Sequence, residues 1–321
     1  MTAVLIQSAR ITLKQHRFEV VAGALAAILL GAAALWVNSR LAAVNVPPGC
    51  FDAWRNSSEP GPLCAGPVSA FFTIAEEAGN VFFGMTFVPL AAGLLAGVTL
   101  VGRELEARTA QTAWGLAASR RRWFARQLWP ILLVLGVTVG FAAIAASTLE
   151  TTRAGDFMLI WRGHGLHGPL VVARAFAALG VGLVLGAVMG RTLPAFAVGA
   201  VLSFGLLLSS EAARGAWAAA QPRVIVDEAA ISGVDALIFE RAWRAPDGTL
   251  VTDAKVLALV PAEESLEPGR WLIGQGYEPL QLGITAETAR GWVPVEIAGF
   301  GALGLGLVLG TVLVVDRRRP R

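Results

Sequence analysis

The chain has 321 residues, 55 % of them hydrophobic and 15 % charged, and its mean hydropathy of +0.62 excludes an ordinary soluble globular domain. A net charge of +3 and a pI near 9.4 do not argue for nucleic acid, because the arginines gather beside apolar runs, where phospholipid head groups lie. There are only two lysines, Lys14 and Lys255, and no G-x-x-x-x-G-K-[ST] sequence, which excludes the usual phosphate-cradling loop for ATP in this polypeptide.

Residues 1–17 read as an interfacial helix, with Ile6, Ala9 and Leu13 on one face and Gln7, Arg10 and Lys14 on the next. Residues 18–210 carry five spans and the last span lies in 297–321. The six uncharged runs are Val20–Val37, Val81–Val101, Leu128–Ala146, Ala175–Met189, Thr192–Ser210 and Ile297–Val315, each near the length of about 20 residues that a helix needs to cross hydrocarbon. The first is longer than a cleavable signal core and no small-residue cleavage site follows it, so it is expected to stay as a span. The fourth is the shortest. It is expected to extend back through Arg174 to Pro169, with the arginine reaching up to the interface.

Between the spans, residues 38–80 form a first outside loop. It holds Cys50 and Cys64, a pair suited to a disulfide in an oxidising compartment, which would restrain the unfolded loop by roughly 3 kcal/mol. Glu76 and Glu77 stand at its end. A second outside loop, 147–168, contains His164 and His167. Residues 211–296 form the largest loop, acidic and marked by turn signals at Pro246-Asp247-Gly248 and Glu267-Pro268-Gly269. Its β-prone runs Val224–Val226 and Val256–Val260 suggest a small ordered module. With both termini in the cytoplasm, the inner pieces carry 14 lysines and arginines against four acids, and everything outside carries 12 against 19.

Small residues recur at four-residue spacing inside the spans. Gly182, Gly186 and Gly190 form one such row, Ala302, Gly306 and Gly310 another, and Gly93 and Gly97 a third. A face of this kind lets a neighbouring helix approach closely, the packing mode available where water drives no association. Any cavity between the spans is expected to be apolar, with a few hydroxyls from Thr86, Thr138, Ser203 and Ser209.

Residues 102–126 are the most distinctive stretch. This charged, helix-prone segment is wedged between two membrane-length runs. Glu104 and Arg108 are spaced i, i+4 with the acid first, the favourable order on a surface helix. Glu106 lies off that pair; Thr109, Gln111 and Trp114 offer polar and aromatic contacts to a partner, and Arg120–Arg122 with Arg126 mark re-entry to the membrane. An ordinary cytoplasmic loop with solvated charges would look similar.

The segment resembles the first cytoplasmic loop of type-2 ABC transporter permeases, particularly actinobacterial ones, which carry R-E-x-E-x-G-T. The matching residues are Arg103, Glu104, Glu106 and Thr109, and the family's glycine is Arg108 here. The family's later R-x-R-W-x-x-K pattern is matched by Arg120, Arg122, Trp123 and Arg126. Lys14-Gln15-His16-Arg17 is similar to its W-R-Q-x-R entry, Arg191-Thr192-Leu193-Pro194-Ala195 to its R-x-x-P-A turn, and Tyr277, Pro279, Trp292 and Glu296 to its approach to the last span.

The resemblance implies an all-α polytopic membrane protein with six transmembrane helices, a cytoplasmic coupling helix at 102–115 and a small extracytoplasmic loop module at 211–296. It implies a permease in a bacterial plasma membrane that exports a lipophilic or peptide-like compound. Arg103, Glu104, Glu106, Arg108, Thr109 and Trp114 would couple it to a separate ATP-binding subunit, and a second permease copy and membrane lipid would be further partners. No cofactor is expected in this chain, ATP and magnesium belonging to the partner, and no nucleic acid.

Two other classes stay open. One is an intramembrane enzyme, although His164-x-x-His167 supplies only two metal ligands, Glu76-Glu77 lacks the arginine of prenyl-protein proteases, and no G-x-S-x-G elbow occurs. The other is a permease-like sensor or immunity subunit without bulk transport. A passive channel is disfavoured, because no span offers a stripe of ionisable residues.

Overall fold

The computed structural model describes residues 2–51, 61–110, 112, 114, 119–152, 168–222, 224–227, 236–261 and 268–317. Gln111, His164, His167, Glu267 and residues 318–321 lie outside these. In chain order the elements are α1 (Thr2–Gln15), α2 (Arg17–Ala43), α3 (Pro62–Glu106), α4 (Arg120–Thr152), α5 (Gly168–Met189), α6 (Thr192–Ala219), β1 (Val224–Asp227), β2 (Ala236–Arg244), β3 (Leu250–Thr252), α7 (Asp253–Leu257), α8 (Pro268–Gly274), β4 (Glu278–Thr285) and α9 (Ala286–Arg317).

Among the described residues, six helices (α2 to α6 and α9) are long and apolar enough to cross a membrane. The protein is therefore an all-α polytopic membrane protein with one small sheet. Each expected run sits inside one of these helices, and most helices outlast their runs. At 1.5 Å per residue the 45 residues of α3 make a rod about 68 Å long, over twice a hydrocarbon thickness of about 30 Å.

Membrane helices have no water to escape on packing, so side-chain size governs how closely they approach. On α2 the buried residues Gly23, Ala27, Gly31 and Ala34 make one narrow stripe, while Leu25, Leu29 and Trp36 stay exposed. At the centre, α3 and α5 pack backbone to backbone. A Cβ on Gly97 would meet the Leu179 carbonyl oxygen at 2.2 Å, and one on Gly182 would meet the Leu94 carbonyl oxygen at 2.5 Å. Only glycine permits that approach. Gly186 lies in the same seam, while Gly190 stands past the end of α5 with φ 63°, closing the helix in the left-handed region.

The last span approaches α5 through a different glycine, Gly304, which fits under the Phe176 ring. Cβ atoms on Gly306 and Gly310 would meet nothing within 4 Å. The helical repeat explains this, since residues two apart on a helix point about 200° from one another.

One end of the bundle holds α1, the end of α9 and residues 107–110; we call it the terminal end. The opposite, sheet end carries an antiparallel four-stranded sheet ordered β1-β4-β2-β3. Val224–Val226 forms strand β1 as expected. Val256–Val260 does not form a strand: Val256 lies in the short helix α7, buried against Trp243 and Leu272 in the core of the module. An apolar run this short carries no decisive periodicity, and tertiary packing settles its conformation. The Trp243 indole N–H donates to Asp253 Oδ1 at 2.7 Å at the start of α7. The sheet rests on the bundle where Ile284 of β4 packs against Ala218 of α6 and Ala289 of α9.

Also at the sheet end, Cys50 and Cys64 form a disulfide. The neighbouring Phe51 packs edge-on to Phe71 at 5.0 Å, and Arg40 of α2 pairs with Glu77 of α3.

Candidate functional site

At the terminal end, α3 runs straight out of the apolar run through Gly102–Glu106 before the chain turns. Ala107 caps the helix, its N–H donating to the Arg103 carbonyl at 2.9 Å, and Arg108 follows with φ 59°. That left-handed conformation is the one glycine adopts freely and an arginine adopts at a cost. Thus Arg108, standing where the related motif has glycine, keeps a glycine's backbone geometry. Ala110, Thr112 and Trp114 then continue in helical conformation.

The motif residues are turned largely toward this chain's own helices. Arg103 Nη1 donates to Glu19 Oε1 of α2 at 3.1 Å and to the Gln15 carbonyl at 3.3 Å. The Thr109 hydroxyl donates to the Glu104 carboxylate, closing the turn around Arg108. Glu106 Oε2 accepts from the backbone N–H of Thr192 at 3.0 Å and from its hydroxyl at 2.7 Å. Trp114 is 7 % exposed, buried beside Phe124, Leu128 and Ile131, edge-on to Trp123 at 6.0 Å, with the Arg120 guanidinium 5.0 Å from its ring. Arg103, Glu106, Ala107, Arg108 and Thr109 form the exposed tip.

Two residues beside this junction were given no site role by the sequence. Asp316, at the end of α9, accepts from Arg121 Nη2 at 2.7 Å, tying the last span to the start of α4. His16, between α1 and α2, is buried, and neither ring nitrogen has a hydrogen-bond partner among the described residues. Burial pulls its pKa below the usual 6.5, against the opposing pull of Glu19 and Glu104, while Arg103 adds to the lowering.

At the sheet end lies a second constellation. Arg174 does not reach the interface as expected. It is 3 % exposed, and its Nη2 donates to Glu296 Oε1 of α9 at 2.7 Å. Arg214 of α6, 2 % exposed, donates to the same carboxylate at 3.0 and 2.7 Å and lies 3.5 Å from Glu211. Arg174 also sits over the Phe300 ring at 5.7 Å. A charge cannot stay in a dry interior unless it is paired, so one carboxylate joins α5, α6 and α9.

Between the two ends, α3, α4 and α5 enclose a cavity of about 210 Å³ lined by Gly93, Leu135, Gly136, Val139, Phe176, Leu179 and neighbouring apolar side chains. The expected hydroxyls do not line it. Thr86, Thr138 and Ser209 donate to carbonyls four residues back on their own helices, and neither they nor Ser203 belong to the lining, which is mainly apolar.

Comparison with known protein families gives one match: the model of the family described as ABC-2 membrane transporter related covers residues 20–214, from the first span to Arg214 of α6. No curated protein and no solved structure matches the chain.

Proposed function

The chain belongs to the ABC-2 membrane transporter related family, and on that premise we propose that it is the permease subunit of an ATP-driven ABC transporter whose ATP-binding subunit is a separate polypeptide. The observation that carries this reading is the tip at 103–109. It is an exposed helix end that a family-matched span delivers beyond the apolar zone, bonded to the first span by Arg103–Glu19 and to the fifth by Glu106–Thr192. A partner docked on this tip and on the helix that follows moves at least three spans at once.

With this end in the cytoplasm, Arg108, exposed in its left-handed turn, presents a cation to the partner, and Glu104 and Thr109 hold that turn in shape. Nucleotide-driven closure of the ATP-binding subunits then rocks the spans of two permease copies in a bacterial plasma membrane. The cargo in this reading is a lipophilic or peptide-like compound carried outward, and the mainly apolar cavity supports the lipophilic choice.

Mild-detergent purification of the tagged chain from its own membrane, with mass spectrometry of what accompanies it, tests the reading. An ATP-binding subunit in near-equal amount is the expected result. Recovery of the chain alone, under conditions that keep a control ABC complex intact, overturns it. In the recovered complex, Glu104→Ala with Glu106→Ala is expected to abolish stimulation of ATP hydrolysis while the chain remains folded in the membrane.

A further inference from the structure

Span α6 is shallowly buried: in its most apolar window 22 % of residues are buried, against 72 % in α5 and 17 % in α9. Its buried residues over the first four turns, Ala195, Gly199, Ser203 and Leu207, recur every fourth position in one line. That line is closely packed, since a Cβ on Gly199 would meet Leu94 Cδ1 at 2.6 Å.

The ends are gripped firmly. The first N–H groups of a helix have no partner within it, and Arg191, the residue at the α6 N-cap, supplies no side-chain cap. Glu106 does so from another helix, through both the backbone N–H and the hydroxyl of Thr192. A carboxylate there also meets the positive end of the helix dipole. The last residue of α3 is thereby bonded to the first residue of α6. At the other end, Arg214 is clamped in the buried carboxylate of Glu296 with Arg174, and Trp217 packs on Trp292 at 5.2 Å. Only five residues beyond Ala219 the chain enters β1, and Ala218 lies under Ile284 of the sheet.

We propose that α6 is a transmission rod, with Glu106 and Glu296 as positioning residues at its two ends, carrying movement of the 103–109 tip to the sheet at the opposite end of the bundle. The proposal rests on the permease reading and extends it. On this view the tip does not act only through α3 and α4, the helices it joins in the chain, because its displacement enters α6 through the Glu106–Thr192 bonds. A helix is stiff along its axis, so a displacement entering at Thr192 reaches Arg214 and the sheet beside it.

The test uses the whole complex with its co-purified ATP-binding subunit. Spin labels are placed on Asn80→Cys of α3 and Ala220→Cys at the end of α6; Cys50 and Cys64, being bonded, take no label. The distance between the labels is measured by pulsed electron paramagnetic resonance, with and without a non-hydrolysable ATP analogue. The parent complex is expected to show a shift of about 2 Å or more, the scale of helix movements in switching proteins. Glu106→Ala and Glu296→Gln are each expected to lose it, and Glu106→Asp to retain most of it. If Glu106→Ala fails to accumulate in the membrane, Thr192→Val removes the partner hydroxyl and is expected to cut the shift by at least half.

A full shift in Glu106→Ala or in Thr192→Val overturns the relay, as does no shift in a parent complex that binds the nucleotide analogue. Absence of any ATP-binding subunit from the preparation strikes the permease reading itself, and the relay falls with it.

Discussion

The buried ionic set at the sheet end and the exposed pairs at the terminal end behave in opposite ways. At the sheet end Arg174, Arg214 and Glu296 are sealed from solvent, with side-chain exposures of 3 to 4 %. At the terminal end Arg121 and Asp316 are 62 and 37 % exposed, and Arg103 is 52 % exposed against 15 % for Glu19. An exposed pair exchanges freely with water and contributes little, while a buried one cannot be broken without stranding a charge. The exposed ion pairs of the terminal end can therefore change partners cheaply, whereas the Glu106 bonds to Thr192 are made partly to backbone and are not ion pairs. The Arg174–Arg214–Glu296 set holds one arrangement.

Breaking the buried end should produce the largest effect. Glu296→Ala leaves two interior guanidinium groups without their carboxylate and is expected to cost about 3–5 kcal/mol, measured by thermal unfolding in detergent. Replacing the set together (Arg174→Met, Arg214→Met, Glu296→Leu) is expected to recover most of that loss, since no charge is then stranded. If the single and triple variants melt alike, the pairing contributes nothing beyond packing.

Between the ends, Gly97→Leu drives a side chain into the Leu179 carbonyl and is expected to destabilise by about 1–3 kcal/mol in the same assay. Gly306→Leu, where the added group meets nothing, should leave monomer unfolding unchanged. At the terminal end the effects shrink. Arg108→Gly relieves a left-handed arginine and is expected to stabilise the turn by about 1 kcal/mol. A double-mutant cycle on Arg121 and Asp316 should give less than about 1 kcal/mol and fade as salt is raised; a larger, salt-insensitive value would erase the contrast between the ends.

The six spans were legible because hydrocarbon thickness imposes a run length that no other fold requires. Arg174 was misread for a related reason. A lone arginine at the edge of an apolar run normally reaches for the interface, and its carboxylate lies 122 residues away, where no local pattern connects the two. Glu296 stood in a motif without any sign of what it binds, and Arg214 lay beyond the run that defined its span. The glycine rows mark faces that allow close approach, but spacing alone does not say which face meets protein. Gly182 does so, whereas Gly304 rather than Gly306 serves the last span. In the module, β2 escaped notice because charged residues such as Glu240 and Arg241 interrupt its apolar pattern, and the shift in pairing between Ile238 and Glu240 breaks the alternation. At the tip, the sequence suggested one helix over 102–115 with Glu104 and Arg108 on a shared face, but the left-handed turn at Arg108 divides it, and the partners of Glu106 and Arg103 lie 86 and 84 residues distant.

The strand order of the sheet has a consequence for how the chain is made. β4 pairs with both β1 and β2, yet it is the last of the four strands to leave the ribosome, and α9 follows it without a break. The β2–β3 hairpin can close as soon as it emerges, but β1 must wait for residues 278–285 before it finds a neighbour. Completion of the sheet therefore coincides with arrival of the final span at the membrane. A nascent chain released before that point would expose an unpaired strand edge, an open template for other chains and a mark by which quality control can recognise an unfinished product.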